Sequence, residues 1–358
     1  MHWTHLPARQ LLENPSLQRQ WDQLNAARQD LPFLSADAMA AALEVLGNGK
    51  ERLLLATGGQ GEARAMLVMV PDGRLRWTTF QPSQLPLGAW VAKAGISPCA
   101  LSRSLLRGPL GFALVVSITQ VDPLLAPREA DAADARHADY IPTAWLEVDG
   151  SFEDYWAQRG KNLRQNLRKQ RNRLAAEGVT TTLRQLRAPQ DMAAALGRYG
   201  ALETAGWKAD RGTAIHPDNE QGRFYRLLLE TAAGRGEALV TEYLFGEHTV
   251  AMNLGLMRGG TWVVLKTAYD ETVSKALSPA SLLREEELQF IFNQREIRRI
   301  EYYGRVMEWH TKLTDRQRTL YHLTTYRWPW LKALTARGTQ APVQTTDSEA
   351  AGASSVQT

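Results

Sequence analysis

Twice along this 358-residue chain, three apolar runs follow one another across tight turns and then give way to a non-strand stretch and a further apolar run. In the first half the runs are "RLLLAT" from Arg52, "ARAMLVMV" and "RLRWTTF", joined by "GGQGE" and "PDG". Gly-rich and Pro-Asp-Gly connectors between short apolar runs are hairpin signals, so this reads as a three-strand antiparallel meander. "LGAWVAKAG" then reads as a helix and "GFALVVSITQV" as another strand. "DPLLAPREADAADARHAD", with its prolines and alternating small and charged residues, reads as a surface connector. In the second half "EALVTEYLF", "HTVAMNLGLM" and "TWVVLKTAY" are three strands joined by Gly246-Glu247-His248 and Arg258-Gly259-Gly260. "SPASLLREEELQFIFNQ" is a helix with Ser278 as the expected cap and Pro279 at N1, and "IRRIEYY" is a strand. The same order over similar lengths, without obvious identity, predicts a duplicated structural unit of the α+β class.

A chain of this length accommodates two domains of roughly 100–200 residues, each with its own core. The start "MHWTHLPARQLLENPS" has no apolar core, and no run of about 18 apolar residues occurs anywhere, so the expectation is a cytoplasmic protein without a membrane span. The single Cys99 excludes an internal disulfide and a cysteine-based zinc site. It reads as a small buried hydrophobe, since "SPCALS" offers no nearby His to activate it. The His residues form no H-x-x-x-H pair and no G-x-x-x-x-G-K-[ST] is present, so neither metal-dependent hydrolysis nor P-loop chemistry is expected.

Between the halves lie helix-forming segments, "SFEDYWAQRG", "PQDMAAALGRYGALETAG" and "NEQGRFYRLLLETAAGRG", and one basic run, "KNLRQNLRKQRNRL". Seven basic side chains fall between Arg159 and Arg173 with no acid from Asp154 to Glu177, although the whole chain carries only +4. On a helix, Leu163, Leu167 and Leu174 share a stripe, and Lys161, Arg164, Arg168 and Arg171 share the neighbouring face. The ridge is either a solvated face or an anion site for phosphates of a co-substrate, a nucleic acid or a membrane surface.

The order of "SFEDYW", the basic helix, "ETAGWK", a meander ending "LKTAYD", "SPASLL", and "EYYG" followed by "EWHTKLT" resembles the GNAT-type acyltransferases of the CelD-like group, associated with cellulose and exopolysaccharide biosynthesis. The double-GNAT architecture is shared with the Fem-type aminoacyl transferases, and the likeness covers roughly Gly150 to Trp328. It implies tandem GNAT-like domains with mostly antiparallel mixed sheets flanked by helices. Residues 1–149 would form a degenerate N-terminal domain and 150–336 the catalytic one, while the polar end, 337–358, would be disordered. It also implies transfer of an acyl group from acetyl-CoA or another acyl-CoA, with no metal, to the amine or hydroxyl of a small acceptor such as a sugar, sugar nucleotide or amine.

Such proteins hold the pyrophosphate in a loop [Q/R]-x-x-G-x-[G/A] that opens a helix, where free N–H groups and the helix dipole face the phosphates. The matching place reads Lys275-Ala276-Leu277-Ser278-Pro279-Ala280, followed by Ser281 and Leu282; Lys replaces Gln/Arg and Ser the first Gly. Lys266, inside an apolar strand, is either paired or facing a cleft, or else lies on an exposed sheet face by ordinary alternation. With Tyr269 it would face the acyl carbonyl or the acceptor. Glu203, four residues before Trp207 and near Lys208 in the family's acceptor region, would bind the acceptor or remove its proton, or else be a solvated helix acid. Trp207, Lys208, Arg164 and Arg168 are the expected substrate contacts. Two other readings stay open. One is a tRNA-dependent aminoacyl transferase, in which the basic helix tracks nucleic acid; the other is a non-catalytic binding module on a degenerate fold.

Overall fold

The structure, a computed structural model, describes residues 1–28, 30–205, 215–274 and 276–338. The first unit runs β1 (His2–Pro7), α1 (Gln10–Glu13), α2 (Pro15–Ala26), α3 (Ala36–Leu46), β2 (Arg52–Thr57), β3 (Ala63–Pro71), β4 (Arg76–Thr79), β5 (Trp90–Ala92), α4 (Pro98–Leu106), β6 (Val115–Val121) and β7 (Ala135–Glu147). The second runs α5 (Phe152–Ala157), α6 (Lys161–Ala176), β8 (Thr181–Leu186), α7 (Pro189–Ala205), α8 (Glu220–Ala233), β9 (Ala238–Phe245), β10 (His248–Arg258), β11 (Thr261–Tyr269), α9 (Pro279–Gln294), β12 (Arg299–Glu301), α10 (Glu308–Leu313), β13 (Gln317–Tyr326) and α11 (Pro329–Gly338). Helix starts follow local chemistry. Asn14 accepts from the N–H groups of Ser16 and Leu17 ahead of α2, Ser35 caps α3, and Asn219 caps α8.

One mixed sheet unites both units in the order β1-β2-β3-β4-β6-β13-β7-β12-β11-β10-β9-β8, with β5 attached to β3. Only β4 with β6 and β11 with β12 pair in parallel among these ladders. Each unit is therefore an antiparallel meander, a helix and a parallel return strand, which is the duplication predicted from sequence. The strands that complete the two units are exchanged. β13, from the end of the chain, pairs with β6 of the first unit, and β7 pairs with β12 of the second. β13 and β7 also pair with each other over Gln317–Thr325, so the exchange welds the units together.

Helices α1 to α3, α7 and α8 cover one face over a single apolar core that includes Trp21, Phe33, Met39, Tyr199, Phe224, Tyr225 and Leu254. α4, α5, α6 and α9 cover the other face over separate clusters, with Cys99 on the buried side of α4. At the weld, Arg318 on β13 donates through Nε and Nη2 to the two Asp122 oxygens, at 2.8 and 2.6 Å, and through Nη2 to Glu301 at 2.9 Å. All three are buried, and Tyr303 adds a hydroxyl donated to Asp122 at 3.1 Å. Burial raises the Glu301 carboxyl even though Arg318 and Arg299 favour its charged form.

Three sequence readings need correction. "LGAWVAKAG" is not helical: Trp90, Val91 and Ala92 form β5, paired with Ala65–Leu67, because the row along β3 that β4 leaves short needs backbone partners there. The connector ending "DARHAD" already contains the start of β7 at Ala135, whose alternating burial is that of a strand with one face on the core. Ser278 opens α9 but does not cap it through its side chain; its hydroxyl donates to Ser281 Oγ at 2.8 Å instead. Pro279 at N1 is as expected. The polar end from residue 339 lies outside the described residues.

Candidate functional site

Each parallel strand pair is a place where the sheet can open, since β4 and β6 meet only over Arg76–Thr78, and β11 and β12 only over Thr261–Val263. In the first unit the opening is stitched shut. The Thr119 N–H donates to Thr79 Oγ1 at 3.0 Å, the two hydroxyls are 2.7 Å apart, and the Gly88 N–H donates to the Thr119 carbonyl at 3.2 Å. The segment between β4 and β5 passes so close that a Cβ on Gly88 would sit 2.6 Å from that carbonyl. In the second unit the residues of β11 past Val263 lose their β12 partner. Leu265, Lys266 and Thr267 are half-exposed although β11 is a central strand. A bulge also breaks its ladder to β10, with Gly255 opposite Val264 and Leu254 opposite Lys266. A bulge leaves one residue without a ladder partner and re-aims the side chains beside it, which suits a strand edge that receives a ligand.

Lys266 lies at this opening, on the face covered by α7 and α8. Its Nζ is 3.6 Å from Glu203 Oε1 at the end of α7, and 5.6 Å from the centre of the Tyr225 ring on α8. The Glu203 side chain is 1% exposed and that of Lys266 21%. The carboxylate is thus an internal anchor and the ammonium is the member of the pair that reaches the cleft. Glu203 also accepts from the Ile215 N–H at 2.8 Å and from the Tyr199 hydroxyl at 3.5 Å. A charge buried this deeply persists only when paired and hydrogen-bonded, and both conditions are met. Tyr269, three residues beyond Lys266, points to the opposite face of the sheet, toward α9, as strand alternation requires; burial raises its phenol. The structure therefore brings Glu203 and Lys266 together and leaves Tyr269 apart from them. Trp207, Lys208 and Lys275 lie outside the described residues.

On the α9 side, α6 packs by Leu167 and Leu174 against Leu282 and Leu283. The Ser278 N–H donates to Gln170 of α6 at 2.8 Å, Ser281 and Leu282 donate to the Ser278 carbonyl, and the Ala280 N–H donates to no group among the described residues. The end of a 16-residue helix with one free N–H keeps a partial positive charge that favours a phosphate, and half-exposed Ser281 stands beside it. The basic ridge is not uniform. Arg171 is held by buried Glu285 at 2.7 Å and Arg164 donates to the Arg159 carbonyl, whereas Lys161 and Arg168 are exposed.

Behind the opening runs a polar chain that the sequence does not single out. Thr267 donates to Asn253 on β10, whose amide donates to both oxygens of Glu287 on α9, at 2.9 and 3.1 Å; Thr241 on β9 donates to the same carboxyl. Burial raises Glu287 to about 7 from 4.5, against the pull of the Thr241 and Asn253 donors and the Arg284 charge. Arg284 stacks 3.6 Å from the Trp309 ring centre, and burial lowers it to about 10. Between pH 4.5 and about 7 the folded protein holds a proton on Glu287 that the unfolded chain has released, so stability from this group falls as pH rises through that window. Removing a difference of this size should flatten the pH dependence by about 3 kcal/mol. Urea denaturation of Glu287→Gln at pH 5 and pH 8 should show the variant losing much less stability than the parent between the two. Equal losses would place the Glu287 proton affinity near that of an ordinary carboxyl.

Comparison with known proteins agrees with this geometry. Residues 161–329 match the family model described as "Acetyltransferase (GNAT) domain". No curated protein matches the chain. Among solved structures, FemX is similar with a TM-score of 0.56 and 10% identity, over 93% of this chain and 100% of that one. A domain from Agrobacterium fabrum, described provisionally as the C-terminal domain (DUF2156) of a lysylphosphatidylglycerol synthetase, is similar with a TM-score of 0.52 and 12% identity, over 89% and 95%. A conserved protein of unknown function from Bacteroides thetaiotaomicron gives 0.52 and 11%, over 86% and 96%. At these identities the likeness is one of fold. Among the described residues no group of His, Cys, Asp and Glu is arranged to hold a metal ion, and no helix is long and apolar enough to cross a membrane.

Proposed function

We propose that the chain is an acyl-CoA-dependent acyltransferase whose working cleft is the opening between β11 and β12. The observation that carries this reading is the contrast between the two units. The first opening is bridged by Thr79, Gly88 and Thr119, whereas the second is open, bulged and lined by a lysine that a buried carboxylate holds in place. The acyl-CoA would lie along the unpaired edge of β11, with its pyrophosphate at the start of α9, at the Ala280 N–H and Ser281. Lys266 would donate to the thioester oxygen as negative charge develops there, and Glu203 would fix the direction of that donation. Attack by the acceptor is direct, because holding acceptor and thioester together supplies the rate without a covalent enzyme intermediate. The acceptor nitrogen or oxygen bonds to the acyl carbon, the carbon–sulfur bond breaks, and the coenzyme A thiolate leaves and takes up the proton that the acceptor gives up.

The likeness to the CelD-like group favours a sugar or sugar-nucleotide acceptor in cell-envelope or polysaccharide metabolism. The Fem-type reading, with tRNA along α6, is weakened by the ridge itself, because Arg171 is spent on Glu285 and Arg173 on Glu177, leaving a short positive track. The test is thiol release from acetyl-CoA and longer acyl-CoAs in the presence of amine and sugar-nucleotide acceptors. Acceptor-dependent release is the expected result. A gel shift with tRNA and no release from any thioester would transfer the site to the Fem-type chemistry.

A further inference from the structure

The last described helix, α11, is held to the body by polar side chains and leaves two of its large apolar ones exposed. Lys332 donates to the Ala132 and Ala135 carbonyls, each at 2.7 Å, and Thr335 donates to the Tyr326 hydroxyl at 3.1 Å. Leu331 is half-buried, but the helix's two largest other apolar side chains face away. Trp330 and Leu334, one turn apart on the same side, are 55% and 57% exposed. Trp328 stacks on Trp330 at 5.7 Å and meets Phe112 edge-on at 6.0 Å, and Phe112, at the tip of the turn after α4, is itself 59% exposed. Four large apolar side chains from two separate parts of the sequence thus converge on one protruding patch, although ordinary folding places the apolar stripe of a helix inward.

Two cations beside the patch have no carboxylate partner among the described residues. Arg327 stacks over Phe112, with its ring centre at 5.0 Å, and among the described residues donates only to carbonyls, those of Leu106, Gly111 and Ala113, with no carboxylate paired to it. Arg107, in the same turn, is exposed and makes no ion pair among the described residues. Lys332 shares Asp131. At roughly 200 Å² per large side chain the four exposed groups present on the order of 400 Å², about half of the 800 Å² or so that each partner contributes to a stable dimer. That area is too small for a second copy but suits insertion among lipid headgroups, where tryptophan rings prefer the boundary between apolar and wet surroundings.

We propose that Phe112, Trp328, Trp330 and Leu334 form a docking surface for an anionic lipid bilayer, with Arg107 and Arg327 meeting the lipid phosphates. The surface attaches the protein reversibly to one leaflet and spans nothing. Flotation of the full chain with vesicles of phosphatidylcholine and phosphatidylglycerol in equal parts tests it. The parent should float with these vesicles, less with phosphatidylcholine alone, and less at high salt. Trp330→Ser with Leu334→Ser should lower binding by on the order of tenfold or more without changing the melting temperature, because both side chains are exposed. Absence of flotation in the parent, or unchanged flotation in the double variant, overturns the proposal. A parent dimer in sedimentation that the variant loses also overturns it and makes the patch a self-association face.

Discussion

Glutamine in place of Glu203 is expected to lower kcat by roughly a hundredfold while acyl-CoA affinity stays within about twofold, because removing the alignment of one charge-stabilising donor typically costs that much. The variant should fold normally. Its amide oxygen still accepts from the Ile215 N–H, while the negative charge opposite Lys266 and the 3.5 Å bond from the Tyr199 hydroxyl are lost. In the proposed mechanism Glu203 acts as a positioning residue, through Lys266, and this gives a readout that a purely structural role would not produce. Lys266→Met should cost a similar factor, and the double variant should be little worse than either single one, since the two act as a unit. Multiplying effects would show that the two residues work independently.

The largest stability effect belongs to the weld between the units. Arg318→Met should destabilise the protein by about 3–5 kcal/mol, because it leaves Asp122 and Glu301 buried without their shared counter-charge. Urea denaturation should show the loss, and adding Asp122→Asn should recover much of it by removing the orphaned charge, since Glu301 keeps its pair with Arg299. A loss below about 1 kcal/mol would mean that water reaches these carboxylates and that the exchanged strands are held by backbone pairing alone.

Much of the second unit was legible because its signals are local. Glycines punctuate β9, β10 and β11 into hairpins, and Ser-Pro announces α9. What escaped was set by distant partners. β8, "TTLRQL", lies at the sheet edge with a largely polar exposed face, and β13 belongs to a unit whose other strands lie some two hundred residues earlier. Glu203 and Lys266 each stood out, one by its place on a helix and the other by its place in an apolar strand, but their pairing is tertiary. The opposite orientation of Tyr269 follows from strand alternation alone. The run Glu285-Glu286-Glu287 shows the limit most clearly. Three identical side chains meet Arg171, the Tyr243 hydroxyl and a buried Asn253–Thr241 site, and only packing separates the last from the others.

Calorimetric titration of the parent with acetyl-CoA tests the central claim, that one of two related openings works. The expected result is one bound molecule per chain, with binding lost in Ser281→Asp. A carboxylate at the third helical position supports the helix start and should leave the fold intact while repelling phosphate. Two molecules per chain, or one that Ser281→Asp leaves undisturbed, would contradict the assignment of the cleft to β11, β12 and α9.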